Sequence, residues 1–135
     1  MTRLRRIQVS NPRYEADHLR HICVKSPALK GRGDITVFVP PGTEAARDLP
    51  LVLLLHGVGG SHWSWARSAG AHATAHALIS GKKIRPMVLA MPSDGLWSDG
   101  SGYLFHDGVD FEAWIMEDVV DAVAEKISQA GRASP

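Results

Sequence analysis

Cysteine, long apolar runs and clustered basic residues are all scarce in this sequence of 135 residues. The single cysteine, Cys23, excludes an intramolecular disulfide, and its apolar neighbours Ile22 and Val24 are typical of a buried thiol in a strand. No run approaches the roughly 18 apolar residues that a membrane-spanning helix requires. We therefore expect a globular protein without a membrane partner.

The basic residues near the start of the chain form one small cluster, Arg3, Arg5 and Arg6, with no aromatic residues between them. A solvated tail is favoured over a nucleic-acid site, so no nucleic-acid partner is expected. The residues after Arg6 are polar and supply no apolar core for a secretory signal. We therefore predict a cytoplasmic protein with a flexible segment at residues 1–16, within a single domain spanning residues 1–135.

Alternating apolar residues predict the first strands, at residues 18–26 and 34–39, joined as a hairpin by a turn that contains Gly31 and Gly33. The unbroken apolar runs at residues 51–55 and 87–91 are typical of parallel strands that are buried on both faces. The Ala-rich segment between these two runs predicts a helix, so the fold class is α/β.

A second helix is predicted from Asp110, which is placed as its N-cap, to Gly131, which is placed at its end. Its apolar residues recur at the i, i+3, i+4 spacing of an amphipathic helix: Phe111, Trp114, Ile115, Val119, Ala122, Val123 and Ile127. One face of this helix should therefore cover the sheet.

The strongest chemical signal is a glycine-rich turn that follows the strand at residues 51–55: His56-Gly57-Val58-Gly59-Gly60. Backbone N–H groups held in such a turn can stabilise the oxyanion of a tetrahedral intermediate. An ordinary tight strand-to-helix connection is the alternative interpretation.

Three segments carry a resemblance to a known family. They are Leu53-Leu54-Leu55-His56-Gly57-Val58-Gly59-Gly60-Ser61-His62-Trp63-Ser64-Trp65, Val88-Leu89-Ala90-Met91-Pro92-Ser93-Asp94-Gly95 and Trp114-Ile115-Met116-Glu117-Asp118-Val119-Val120. Their order and spacing resemble the amino-terminal half of the esterase D (putative esterase) family of α/β-hydrolases. The resemblance implies a partial three-layer α/β/α hydrolase fold and acyl chemistry on a small ester or thioester, with no cofactor and no metal.

The resemblance also implies roles for individual residues. Gly57 and Val58 would form the oxyanion loop, with the Val58 amide as the main donor, whereas His56 would have a structural part. Substrate would contact this loop and nearby indoles, although packing is the alternative for the indoles; these residues are Gly59, Gly60, Trp63, Trp65 and Trp97.

The sequence departs from the family pattern because it contains no Gly-x-Ser-x-Gly nucleophile and no later Asp and His. The chain alone is therefore expected to be inactive, unless Ser61, Ser64 or Ser101 serves as a relocated nucleophile. A non-catalytic acyl-binding or protein-interaction module is the alternative function. Without the nucleophile strand, the strand at residues 51–55 becomes a sheet edge, which predicts self-association or pairing with a complementing chain.

Two other clusters contain residues that can bind metal ions. His72 and His76 have the i, i+4 spacing of a zinc helix but lack further ligands, so a solvated or packed helix face is favoured. Four aspartates near the long loop do not match a calcium-binding spacing, so turn formation and capping are favoured for Asp94, Asp99, Asp107 and Asp110.

Overall fold

The computed structural model describes residues 4, 6–95 and 100–131. Five strands form one mixed sheet in the order β1-β2-β3-β5-β4, and a two-stranded ribbon, β6-β7, stands apart from it. The strands are β1 Ile7–Val9, β2 Leu19–Ser26, β3 Gly31–Phe38, β4 Leu51–Leu53, β5 Val88–Pro92, β6 Phe105–His106 and β7 Val109–Asp110. The mixed sheet with its helices confirms the predicted α/β class.

The amino-terminal hairpin pairs β2 with β3 in antiparallel register, from Leu19 opposite Phe38 to Ser26 opposite Gly31. The predicted turn at Gly31 and Gly33 is wrong, because both glycines belong to β3 and the turn occupies residues 27–30.

The segment predicted to be flexible, residues 1–16, contributes β1 and a 3₁₀ helix at Pro12–Tyr14. Strand β1 pairs antiparallel with β2, with Ile7 opposite Val24. Ile7 and Val9 are partly buried against the core. Residues 7–9 of this segment therefore belong to the sheet.

The parallel part of the sheet consists of β4 and β5, which pair from Leu51 opposite Val88 to Leu53 opposite Ala90. Strand β5 lies between β3 and β4, and β4 has no other strand partner within the described chain. The three residues of β4 are only half-buried. The predicted parallel pairing is therefore correct, whereas burial on both faces holds for β5 and not for β4.

Apolar residues cover both faces of the sheet. On one face the strands pack against the carboxyl-terminal helical segment, in a cluster that includes Ile22, Val24, Ile35, Val37, Phe111, Trp114, Val119 and Val123. The smaller cluster includes Leu19, Phe38, Ala66, Ala75, Leu89 and Met91. Helices on either side of the sheet give the three-layer arrangement.

The helix predicted between β4 and β5 is divided in two, α1 Ser64–Arg67 and α2 Ala71–Ser80. Gly70 stands between them with φ of 65°, a left-handed conformation that interrupts a helix and suits glycine. The Gly81 N–H bonds to the Ala77 carbonyl and closes α2.

The carboxyl-terminal helical segment, from Phe111 to Lys126, has three parts: α3 Phe111–Ala113, a π-helical stretch Trp114–Val119 and α4 Val120–Lys126. The Asp110 carboxylate accepts the Ala113 N–H at 2.9 Å, which confirms the predicted N-cap. The predicted end at Gly131 is wrong, because the helix ends at Lys126. Residues beyond it return to the sheet, where Gly131 donates its N–H to the Leu49 carbonyl at 2.9 Å.

Within the described ranges, no helix is both long and apolar enough to cross a bilayer.

Candidate active site

The glycine-rich turn lies directly beyond β4, at the carboxyl end of the parallel strand pair. The Gly60 N–H donates to the Gly57 carbonyl at 3.0 Å and closes the turn, and Gly59 adopts φ of 79°. A Cβ at Gly60 would lie 2.9 Å from His56 Nδ1, which is closer than real Cβ contacts allow. The backbone conformation therefore favours glycine at position 59, and the limited space favours glycine at position 60.

The imidazole of His56 links this turn to the loop after β5. Its Nδ1 lies 2.8 Å from the Gly57 carbonyl, and its Nε2 accepts the Asp94 N–H at 3.1 Å. Because an amide N–H can only donate, Nε2 must be unprotonated and Nδ1 must carry the hydrogen. Both ring nitrogens are thus engaged with the main chain, which leaves His56 no nitrogen to act as a base and agrees with a structural role.

The loop after β5 is held against the turn by buried polar contacts that sequence analysis did not identify. The Asp94 carboxylate accepts the Ser101 N–H at 3.1 Å, and the Ser101 hydroxyl donates to the Asp94 carbonyl at 2.9 Å. The Tyr103 hydroxyl donates to the His56 carbonyl at 2.6 Å. Burial first, and then the charge of Asp94, raise the pKa of Tyr103 to about 12, so this hydroxyl stays a donor at neutral pH.

Removal of the Tyr103 hydroxyl should loosen the turn. We expect Tyr103→Phe to lower the free energy of unfolding by about 1 kcal/mol, because the half-buried His56 carbonyl loses its donor. Amide hydrogen exchange should accelerate at residues 56–60 more than in β2, as measured by mass spectrometry. Tyr14→Phe, which alters an exposed tyrosine, is the matched control; equal acceleration in both variants would contradict the assignment.

A cavity of about 220 Å³ opens beside the turn. Six of its lining residues come from the turn or from the start of α1: His56, Gly57, Val58, Gly60, Ser64 and Trp65. The Val58 side chain is 85% exposed, so the turn presents its main chain at the surface. No described residue accepts a hydrogen bond from the N–H of Gly57 or Val58. The arrangement thus offers backbone donors beside a small, largely apolar space.

The other residues assigned to substrate binding are placed differently. Gly59 and Trp63 lie in the same segment but do not line this cavity, and Trp63 is 48% exposed. Trp97 lies outside the described residues.

Among the described residues, no base bonds to the hydroxyl of any of the three serines that are candidates for a relocated nucleophile. Ser101 is buried, and its hydroxyl both donates to the Asp94 carbonyl and accepts the Tyr103 N–H. The Ser64 hydroxyl accepts the Ser61 N–H at 2.9 Å. In the part of the chain that the structure describes, no histidine or carboxylate bonds to the hydroxyl of Ser61 or Ser64.

His62, which follows the turn, joins it to the hairpin through Thr36. The Thr36 hydroxyl lies 2.9 Å from His62 Nδ1 and 3.4 Å from His21 Nδ1. Burial lowers the pKa of His62. The charge of Asp34 opposes this shift, and the charge of His21 adds to it. Burial and the nearby Arg67 guanidinium also lower the pKa of His72.

Acid should therefore destabilise the fold. Above the ordinary histidine pKa, His62 and His72 are neutral in both the folded and the unfolded state. Below it, they bind a proton more readily in the unfolded state than in the folded state, which lowers the stability of the fold. We expect the melting temperature, measured by circular dichroism, to fall as the pH decreases from 7.5 to 5.5. His62→Gln should reduce this fall and His106→Gln should not; an unchanged fall in His62→Gln would contradict the assignment.

Among the described residues, His72 and His76 belong to no group of side chains that could hold a metal ion. His76 packs edge-on against His18, with ring centroids 4.8 Å apart, which agrees with a packed helix face. Within the described residues, no three His, Cys, Asp or Glu side chains are grouped closely enough to hold a metal ion.

No known family profile matches the sequence. Solved structures do match the fold. A ferulic acid esterase superposes with a TM-score of 0.71 at 18% identity, over 90% of this chain and 45% of its own. A fluorophosphonate-binding serine hydrolase from Staphylococcus aureus gives 0.66 at 18% identity, over 83% and 42%. An S-formylglutathione hydrolase from Agrobacterium tumefaciens gives 0.65 at 16% identity, over 86% and 47%.

The likeness to these structures confirms the partial α/β-hydrolase-like fold that the resemblance implied. The chain spans less than half of the length of each of them.

Proposed function

We propose that this chain is the amino-terminal part of a serine carboxylesterase-type hydrolase, in which it supplies the oxyanion loop and one wall of the acyl site. The observation that carries the proposal is the turn at residues 56–60. It follows a parallel strand, borders a cavity and presents the Gly57 and Val58 N–H groups without partners among the described residues. Backbone donors beside a substrate-sized space support a role as an oxyanion hole.

The nucleophile is proposed to come from a strand that pairs with the open edge of β4. The last described residues already run parallel to the start of β4: Leu49 donates its N–H to the Gln129 carbonyl at 2.8 Å, and Gly131 donates to Leu49. A strand that continued in this direction would lie along β4. Its carboxyl end would then reach the level of the turn at residues 56–60, where a nucleophile elbow is required.

The reaction would be acyl transfer to a serine, followed by hydrolysis of the acyl-enzyme. The Val58 N–H, with Gly57 beside it, would bind the oxyanion of each tetrahedral intermediate. Gly60 and Trp65 would contact the acyl group across the cavity, with Gly59, Trp63 and Trp97 nearby. Carboxylic esters or thioesters of small acyl groups are the proposed substrates, and a cytoplasmic location stays a prediction.

A fluorophosphonate tests whether the nucleophile is absent from these residues, because such probes label activated serines. We expect intact-mass analysis to show no adduct on the native chain or on a heat-denatured control. An adduct on the native chain alone would contradict the proposal, and peptide mapping would then identify Ser61, Ser64 or Ser101 as the labelled residue.

A titration with butyrate, a carboxylate product analogue, tests the oxyanion loop directly. In a ¹⁵N–¹H correlation spectrum, the Gly57 and Val58 amides should shift on binding. The Gly42 amide, which lies in an open turn elsewhere, should not shift. Shifts of equal size at Gly42 and at Val58 would contradict a role for the loop.

The alternative, a non-catalytic acyl-binding or protein-interaction module, is favoured by the apolar side chains exposed around the turn. Val58, Trp63 and Trp65 are all more than one third exposed, and β4 offers an open edge beside them. Sedimentation velocity, combined with ester turnover, tests the alternative. A stable oligomer that neither labels nor hydrolyses esters would support the alternative.

A further inference from the structure

A row of three cations crosses the amino-terminal strands, away from the proposed active site. Lys25 in β2 lies directly opposite Arg32 in β3. On the other side, the Lys25 N–H donates to the Arg6 carbonyl at 3.0 Å, so Arg6 stands at the same level. All three residues are exposed and line one groove of about 610 Å³.

Charge repulsion within this row opposes folding. Like charges placed directly opposite each other on neighbouring strands repel. Among the described residues, no carboxylate forms an ion pair with Arg6, Lys25 or Arg32. The hydrogen bond to Cys23 first, and then the charge of Asp34, raise the pKa of Arg32. Asp34 lies two residues beyond Arg32 in β3 and does not line the groove.

The guanidinium of Arg32 is held inside the groove by a weak acceptor. Its Nη2 and Nε lie 2.9 and 3.2 Å from the Sγ of Cys23. Sulfur accepts hydrogen bonds weakly, and a guanidinium carries five N–H donors, so Arg32 is oriented but retains its capacity for a better acceptor. Beside it, the Cβ position of Gly31 has no neighbour closer than 3.8 Å, which leaves the groove open.

We propose that this groove binds a small polyanion that carries two or more carboxylate or phosphate groups. Neighbouring strands lie about 4.8 Å apart, so the row spans about 10 Å and can meet separate anionic groups of one molecule. Arg32 suits bidentate contact with a carboxylate or phosphate, and Lys25 and Arg6 add charge. The described lining contains no aromatic ring on which a nucleic-acid base could stack.

Cys23, the single cysteine of the chain, reports directly on occupancy of the groove. The full chain is alkylated with iodoacetamide, with and without citrate or pyrophosphate, and the affinities are measured by titration calorimetry. Bound anion should slow alkylation of Cys23 in proportion to saturation. The double variant Lys25→Gln/Arg32→Gln should weaken binding by about tenfold or more, because it removes charge-assisted hydrogen bonds.

The control removes the same charge from another surface, as Lys82→Gln/Lys83→Gln, where both side chains are exposed. Circular dichroism melts establish that each variant folds. Retained affinity in the control supports the groove, whereas equal losses in the two double variants would show non-specific attraction and overturn the proposal. Tighter binding of citrate would show that the groove prefers carboxylates, and tighter binding of pyrophosphate would show that it prefers phosphates. Either result supports the proposal. Failure of both anions to protect Cys23, or protection by an oligonucleotide alone, would overturn it.

Discussion

Gly33→Ala is expected to destabilise the fold by about 3 kcal/mol, at the upper end of the range for overpacked cores. A Cβ at this position in β3 would lie 2.3 Å from Cη2 of Trp114, a side chain that is fully buried. The indole cannot withdraw easily, because its Nε1–H donates to the Ser93 carbonyl at 2.7 Å. The loss should appear as a lower midpoint in urea denaturation.

Gly31→Ala supplies the matched control in the same strand. Its Cβ would meet nothing closer than the Leu29 carbonyl, at 3.8 Å, so stability should change little. In a Trp114→Phe background, Gly33→Ala should also become much less costly, because the ring atoms that cause the clash are gone. Equal losses in Gly31→Ala and Gly33→Ala would refute the steric explanation.

Asp118→Ala is expected to lower the free energy of unfolding by about 2–3 kcal/mol. The carboxylate of Asp118 is completely buried in the π-helical stretch, where it accepts hydrogen bonds from the Ser26 hydroxyl and the Ala28 N–H. The Ser26 hydroxyl in turn accepts the Leu29 N–H at 3.0 Å. Alanine would leave the turn between β2 and β3 without its anchor on the helical segment.

Two substitutions separate this anchor from general effects on the helix. Glu125→Ala changes an exposed carboxylate in α4 and should have little effect. Asp118→Asn keeps an oxygen for the Ala28 N–H and should lose less stability than Asp118→Ala. Chemical denaturation followed by circular dichroism measures all three, and a loss in Glu125→Ala that matched Asp118→Ala would remove the basis for the assignment.

The position of the candidate site could be predicted from the sequence because its signal is local. An apolar run followed at once by His56 and three glycines within four residues specifies a strand and then a tight turn. The contacts that hold this turn could not be predicted, because they join segments far apart in the chain. Tyr103 is 47 residues from the carbonyl that its hydroxyl bonds, and Asp94 is 38 residues from the His56 ring.

The helices show which features can be predicted from the spacing of apolar residues and which cannot. The apolar spacing after Asp110 placed the buried face of the carboxyl-terminal helical segment correctly, because only residues three or four apart share a helix face. The same spacing carries no sign of the π-helical stretch. Between β4 and β5 the alanine content suggested one helix, whereas the left-handed Gly70 divides it.

The sequence by itself determined the α/β class, the hairpin, the glycine-rich turn and the absence of a Gly-x-Ser-x-Gly motif, because each of these depends on residues that are close together in the chain. Only the tertiary structure decided that β5 lies between β3 and β4 and that Arg6, Lys25 and Arg32 stand in one row. The physical reason is that strand order and cross-strand register depend on which distant surfaces pack together, and local preferences do not specify that choice.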